Sequence, residues 1–167
     1  MVTAALAILA LATAPPASRP PVRTVSISSQ EGRSNRAVPS CEKGCLSPVE
    51  AVTYASYLGD KAGVAGVFDM PVVEVGQQAG LFYLNSEKDY RDRNCLTVAL
   101  TPTAMQALAG TTNLEQARER LRNHRVIVRG VARQVRIVFS QDGRPTEKYY
   151  YQVHVRVTEP GQVRLVV

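Results

Sequence analysis

The chain has 167 residues, with 20 Lys+Arg against 14 Asp+Glu and a formal net charge of +6. That length holds one domain of roughly 100–120 residues plus tails, enough to bury a real core without staples. Sixteen of the basic residues are Arg, a bias suited to bidentate contacts with carboxylate or phosphate; the net charge permits polyanion binding without requiring it.

Val2–Ala14 is an apolar run of 13 residues, too short to span a bilayer as a helix. Ala12-Thr13-Ala14 follows as an A-x-A-like site, with Ala17-Ser18 as another, so residues 1–18 read as a secretory signal peptide. No Lys or Arg precedes the run. This predicts a secreted or periplasmic protein with no stable membrane span once the signal is removed. Residues 19–46 turn to Pro, Ser, Arg and Asn, with too little apolar surface to offset the entropy of ordering, and read as a flexible tail. Within it Cys41 and Cys45 (CEKGC) are four apart and can close a small disulfide loop in an oxidising space. Cys95 opens an apolar strand and reads as a buried small hydrophobe.

The folded domain is predicted over 47–167. Ser47-Pro48-Val49-Glu50 is a capping box with Pro at the first helical position. A short helix follows on the stripe Ala51, Val52, Ala55 and Leu58, ending at Gly59. Ala62–Val75 reads as a first strand carrying Gly63 and Gly66, as a strongly coiled strand needs. Gly76–Gly80 reads as a turn into Leu81–Asn85, and the charged segment Ser86–Asn94 as an exposed loop before Cys95–Leu100. A helical stretch spans Pro102–Arg122, with Thr112 and Glu115 as a second capping box. Arg125–Phe139 alternates up to Gly130, where the lost period suggests a bulge. Ser140–Thr146, centred on Asp142-Gly143, joins it by a hairpin to Lys148–Val157. There the alternation places Tyr149, Tyr151, Val153, Val155 and Val157 inside, and Lys148, Tyr150, Gln152, His154 and Arg156 outside. Val163–Val167 is a terminal apolar run. Three strands, a helix and two strands give a mainly β fold. It is predicted as a five-stranded Greek-key barrel of the OB type, with a helical stretch between strands 3 and 4 and a short N-terminal helix.

Five short motifs recur in that order. They are Val64-Ala65-Gly66-Val67, Leu84-Asn85 with Asp89-Tyr90, the apolar Leu96–Leu100, Val126-Ile127-Val128-Arg129-Gly130, and Gln152-Val153-His154-Val155. On these the segment from about Tyr57 to Val167 resembles the exported bacterial OB-fold proteins of the nucleic-acid-binding-like type; residues 1–56 lie outside the resemblance. It implies a barrel and a tendency to bind, and no reaction.

The candidate binding face is Arg125, Arg129, Arg133, Lys148, Tyr150, Gln152, His154 and Arg156. OB barrels hold single strands with cations along the backbone and rings under the bases, and here only Tyr150 is clearly placed to stack. His154 has the residue type that titrates near neutrality, yet no nucleophile or carboxylate is tied to it by spacing. Asp89 and Asp92 are flanked by Lys88, Arg91 and Arg93, which argues for a solvated or partner-facing loop. Two distant histidines and the cysteines make no zinc pattern. No catalytic residue, metal or cofactor is expected. The prediction is a non-enzymatic binding module for an acidic polymer such as single-stranded nucleic acid. The alternative is a protein-protein interaction or assembly module of the cell envelope.

Overall fold

A computed structural model describes residues 38–166. The predicted signal peptide and most of the predicted tail lie outside the described residues.

The elements are α1 (Pro48–Leu58), β1 (Gly63–Pro71), β2 (Glu74–Gln78), β3 (Leu81–Asn85), β4 (Leu96–Leu100), α2 (Pro102–Ala109), α3 (Leu114–Leu121), β5 (Arg125–Gln141), β6 (Arg144–Val157) and β7 (Val163–Val166). Among the described residues they form a mainly β fold on one mixed sheet of seven strands. Its order is β1-β5-β6-β4-β3-β2, with β7 on the side of β5. Every pairing is antiparallel except β4 with β6.

The expected five-stranded closed barrel is corrected to an open sheet of seven strands. The predicted first strand divides because the chain changes partner at Val72 and Val73. The Val72 amide donates to the His124 carbonyl, whereas the Val73 amide donates to the Asn85 carbonyl. The terminal run adds the seventh strand by pairing with Arg125–Val128. The expected bulge at Gly130 is also absent. Gly130 sits in continuous register opposite Gly66, and the irregularity lies between Val138 and Ser140. Alternation weakens after Gly130 because β5 leaves β7 on one edge and takes up β6 there.

The local signals for the helices carry through. Ser47 and Glu50 cap α1 reciprocally, and Thr101 caps α2 through its side chain. The cap of α3 is Asn113 rather than Thr112, its side chain accepting from the Gln116 amide at 3.1 Å. Two-residue turns at Ala79-Gly80 and Asp142-Gly143 have positive φ at both positions, the conformation that tight hairpins favour. Gly76, predicted in the first turn, therefore belongs to β2.

The core gathers Phe68, Met70, Phe82, Leu84, Leu96 and Val98 from the sheet, closed by Ala51 and Ala55 of α1, Met105 of α2 and Leu121 of α3. Val153, Val155 and Val157 join it as predicted. Tyr149 and Tyr151 do not, at 49% and 44% exposed. They lie where β5 and β6 continue as a two-stranded ribbon beyond β1 and β4. Ahead of α1, Cys41 and Cys45 form a disulfide. The Leu46 amide donates to the Val67 carbonyl and its carbonyl accepts from the Asp69 amide. Arg164 Nε donates to the Pro39 carbonyl at 2.6 Å. The end of the predicted tail is thus strapped onto β1.

Candidate functional site

The alternation that sends Val153 and Val155 inward turns Tyr150, Gln152, His154 and Arg156 to the opposite face of β6. The register places Arg133 opposite His154, Val135 opposite Gln152 and Ile137 opposite Tyr150. On the other side of β6, Thr97 and Ala99 of β4 lie beside His154 and Arg156, and Tyr83 of β3 lies opposite Ala99. These positions line a continuous trough. One arm, of ≈ 730 Å³, runs past Arg129, Arg133 and Arg156. The other, of ≈ 500 Å³, runs past Tyr90, Arg91, Phe139 and Tyr150 toward the β2–β3 turn. Tyr83 and His154 border both arms.

The two arms differ in chemistry. Arg129, Arg133 and Arg156 form no ion pair among the described residues, whereas Arg118 and Arg122 are bound to Glu74 and Arg125 to Asp69. No carboxylate lines either arm, so the cations there keep their field for a ligand. The second arm carries rings. Phe139 and Tyr150 stand 5.2 Å apart, Tyr83 meets His154 edge-on at 6.1 Å, and the Arg91 guanidinium lies 4.5 Å over the Tyr90 ring. Partial burial, and next the Tyr90 phenol, push the Tyr150 hydroxyl above its ordinary range.

Gln152 ties the charged loop to the sheet. Its Nε2 donates to the Tyr90 carbonyl at 3.0 Å and lies 3.1 Å from the Tyr150 hydroxyl. Its Oε1 lies 2.7 Å from His154 Nε2. His154 departs from the expectation of a titrating surface residue, because burial pulls its imidazole down to about 4. It is neutral at physiological pH.

Of the predicted face, the structure brings together Arg129, Arg133, Tyr150, Gln152, His154 and Arg156. It does not bring in Arg125, whose guanidinium is 3.0 Å from Asp69 near the far end of β5, or Lys148, which lines neither arm. Sequence reasoning missed Tyr83, Phe139, Tyr90 and Arg91. Tyr83 was legible as the residue between inward Phe82 and Leu84, and Phe139 as sharing the parity of Arg129 and Arg133. Tyr90 and Arg91 sit in a loop with no period to read. Cys95 is buried, with its thiol pushed up by burial, as its apolar context predicts.

No protein-family model matches the chain, and no curated protein sequence matches it. Among solved structures the chain is similar to an aspartyl tRNA synthetase from Entamoeba histolytica, at 9% identity and a TM-score of 0.33. That match covers 66% of this chain and 20% of the synthetase.

Proposed function

We propose that this chain is a non-enzymatic binding module that takes an acidic polymer, single-stranded nucleic acid fitting best, along the trough across β3, β4, β5 and β6. One observation carries the reading. Arg91, Arg129, Arg133 and Arg156 line the trough with Tyr83, Tyr90, Phe139 and Tyr150, and no carboxylate is among them. A phosphate backbone needs cations free of internal partners, and unstacked bases need ring faces, each worth roughly 1–3 kcal/mol. The reading treats β1 and β2 as the two arms of one bent strand. On this reading the open sheet is of the OB type, of the exported bacterial kind that the sequence resembles. The apolar N-terminal run and the Cys41–Cys45 disulfide favour a secreted or periplasmic setting.

A second reading, an assembly module of the cell envelope, is favoured by the back of the β5–β6 ribbon. There Tyr149, Tyr151 and Val138 are exposed and Arg136 stacks 4.2 Å over the Tyr149 ring. Fluorescence polarisation of a labelled single-stranded oligonucleotide decides between the two. Saturable binding at low salt, weakening as salt rises, supports the trough. No binding at low salt removes the nucleic-acid reading.

A further inference from the structure

Beyond Arg133 the strand β5 loses β1 as a neighbour, since the last pair between them is Gly63 with Arg133. From Gln134 to Gln141 its only ladder partner among the described residues is β6, and no other backbone–backbone hydrogen bond reaches this segment. Alternate residues of an antiparallel strand turn their amides and carbonyls to opposite sides, so half of those along this segment face an open edge. Two other edges are spoiled for pairing. Along β2, the Val73 and Val75 carbonyls accept from Arg122 Nε at 3.4 Å and Arg118 Nε at 2.9 Å. The outer edge of β6 carries Pro145, Glu147 and Lys148. There Thr146, Glu147 and Lys148 lie against Phe139 alone, because the register passes from Val138–Tyr149 to Ser140–Pro145. Proline, charge and bulges all discourage a further strand. The β5 edge has no proline and no extra residue of its own. It reads Val135-Arg136-Ile137-Val138-Phe139, a run rich in residues that suit a strand, and its one charge, Arg136, is turned onto the Tyr149 ring at 4.2 Å.

We propose that this edge pairs with the same edge of a second copy of the chain, antiparallel about Val138. A twofold axis normal to the sheet brings one patch against itself, and residues that meet across it share a face. Centred on Val138, the register sets Val138 against its own copy, Ile137 against Phe139 and Arg136 against Ser140. Apolar then meets apolar, and no two cations face each other. Centred on Ile137 it would set Arg136 against Val138, and centred on Arg136 it would oppose two guanidiniums. The pairing also covers apolar side chains that a single copy leaves in water, since Val138 is 38% exposed and Phe139 41%. Val138 is opposite Tyr149 on β6, and Ile137 opposite Tyr150, so each face of the joined sheet gains an unbroken apolar row. A second copy is the occupant because the edge is complementary to itself. The two troughs then open on the same side of one sheet, whatever they bind.

Sedimentation velocity over a range of protein concentrations tests this. The parent should pass from monomer to a species of twice the mass, whereas Val138→Lys and Val138→Glu should each stay monomeric, with like charges face to face. Val138 lies outside the core, so both variants should melt close to the parent. Mixed in equal amounts, the two variants should regain the doubled mass, because opposite charges then meet across the axis. Amide exchange over Gln134–Gln141 in the parent should slow as concentration rises, which carries the test if a variant fails to fold. A parent that stays monomeric, a doubled mass that survives in folded Val138→Lys, or exchange along this edge that ignores concentration overturns the proposal. A mixture of folded variants that stays monomeric overturns it as well, since Val138 would not then face its own copy.

Discussion

Replacing Arg129, Arg133 and Arg156 together by Gln should flatten the salt dependence of oligonucleotide binding far more than it changes the fold. Four guanidiniums line the trough in the parent, counting Arg91. At about 0.7 per phosphate neutralised on a single strand, four contacts give a log–log slope of about −2.8. Raising salt from about 50 to about 200 mM then weakens the parent roughly 50-fold. The triple variant retains only Arg91, so its slope is about −0.7 and the same change costs it about threefold. Arg125→Gln is the internal control, because its guanidinium is already held by Asp69 and its loss should leave the slope in place. The assay is a polarisation titration at three salt concentrations with thermal melting of each variant alongside. A triple variant with the parent's slope and the parent's melting temperature would refute the assignment of these arginines to phosphate.

Three further outcomes test the fold. Val153→Asp buries an unpaired charge at a position 3% exposed and should unfold the domain, while Tyr151→Asp, on the same face but 44% exposed, should move stability by about 0.5 kcal/mol or less; equal melting temperatures would contradict the end of the core between these two positions. A Cβ on Gly130 would stand 2.6 Å from Val155 Cγ1, so Gly130→Ala should cost about 1–3 kcal/mol. Val155→Ala in the same chain should then cost less than it does alone, and strictly additive losses would contradict that contact. The folded state holds His154 at about 4 against an ordinary 6.5, so the unfolded chain binds its proton first as pH falls. Stability is complete above about pH 6.5 and drains away down to about 4, a loss of about 2 kcal/mol between pH 7 and pH 5. Urea unfolding at both pH values should show that loss in the parent and not in His154→Phe, and the same loss in both would point to another group.

The closing strand shows how far the sequence could be read. Its alternation correctly sent Val153, Val155 and Val157 inward and the Tyr150–Arg156 set outward, because a period of two depends only on the local pleat. It failed at Tyr149 and Tyr151 because a period says which face a side chain takes and nothing about whether another layer covers that face. The break at Val72 and Val73 was invisible for a related reason. Two β-branched residues suit a strand equally well before and after a change of partner, and the change itself belongs to the sheet. Half the ringed arm was hidden because Tyr90 is delivered by a loop, and the bond from Gln152 that anchors it spans 62 positions. The cations were easier, since Arg129, Arg133 and Arg156 share the parity of strands already recognised.

The strap formed by Leu46 has a bearing on how this molecule behaves in a crowd. The Val67 carbonyl and Asp69 amide that it occupies lie on the edge of β1 away from β5, and an unsatisfied strand edge is a template for another chain's strand. By docking its own backbone there, the protein plugs the place where a neighbour would otherwise add. Cys41 and Cys45, joined four positions apart, close a small loop just before Leu46 and restrict the conformations of the chain that leads into the plug. A reducing environment would open that loop without touching the core, and any symptom would be sticking between molecules at this edge rather than loss of the fold.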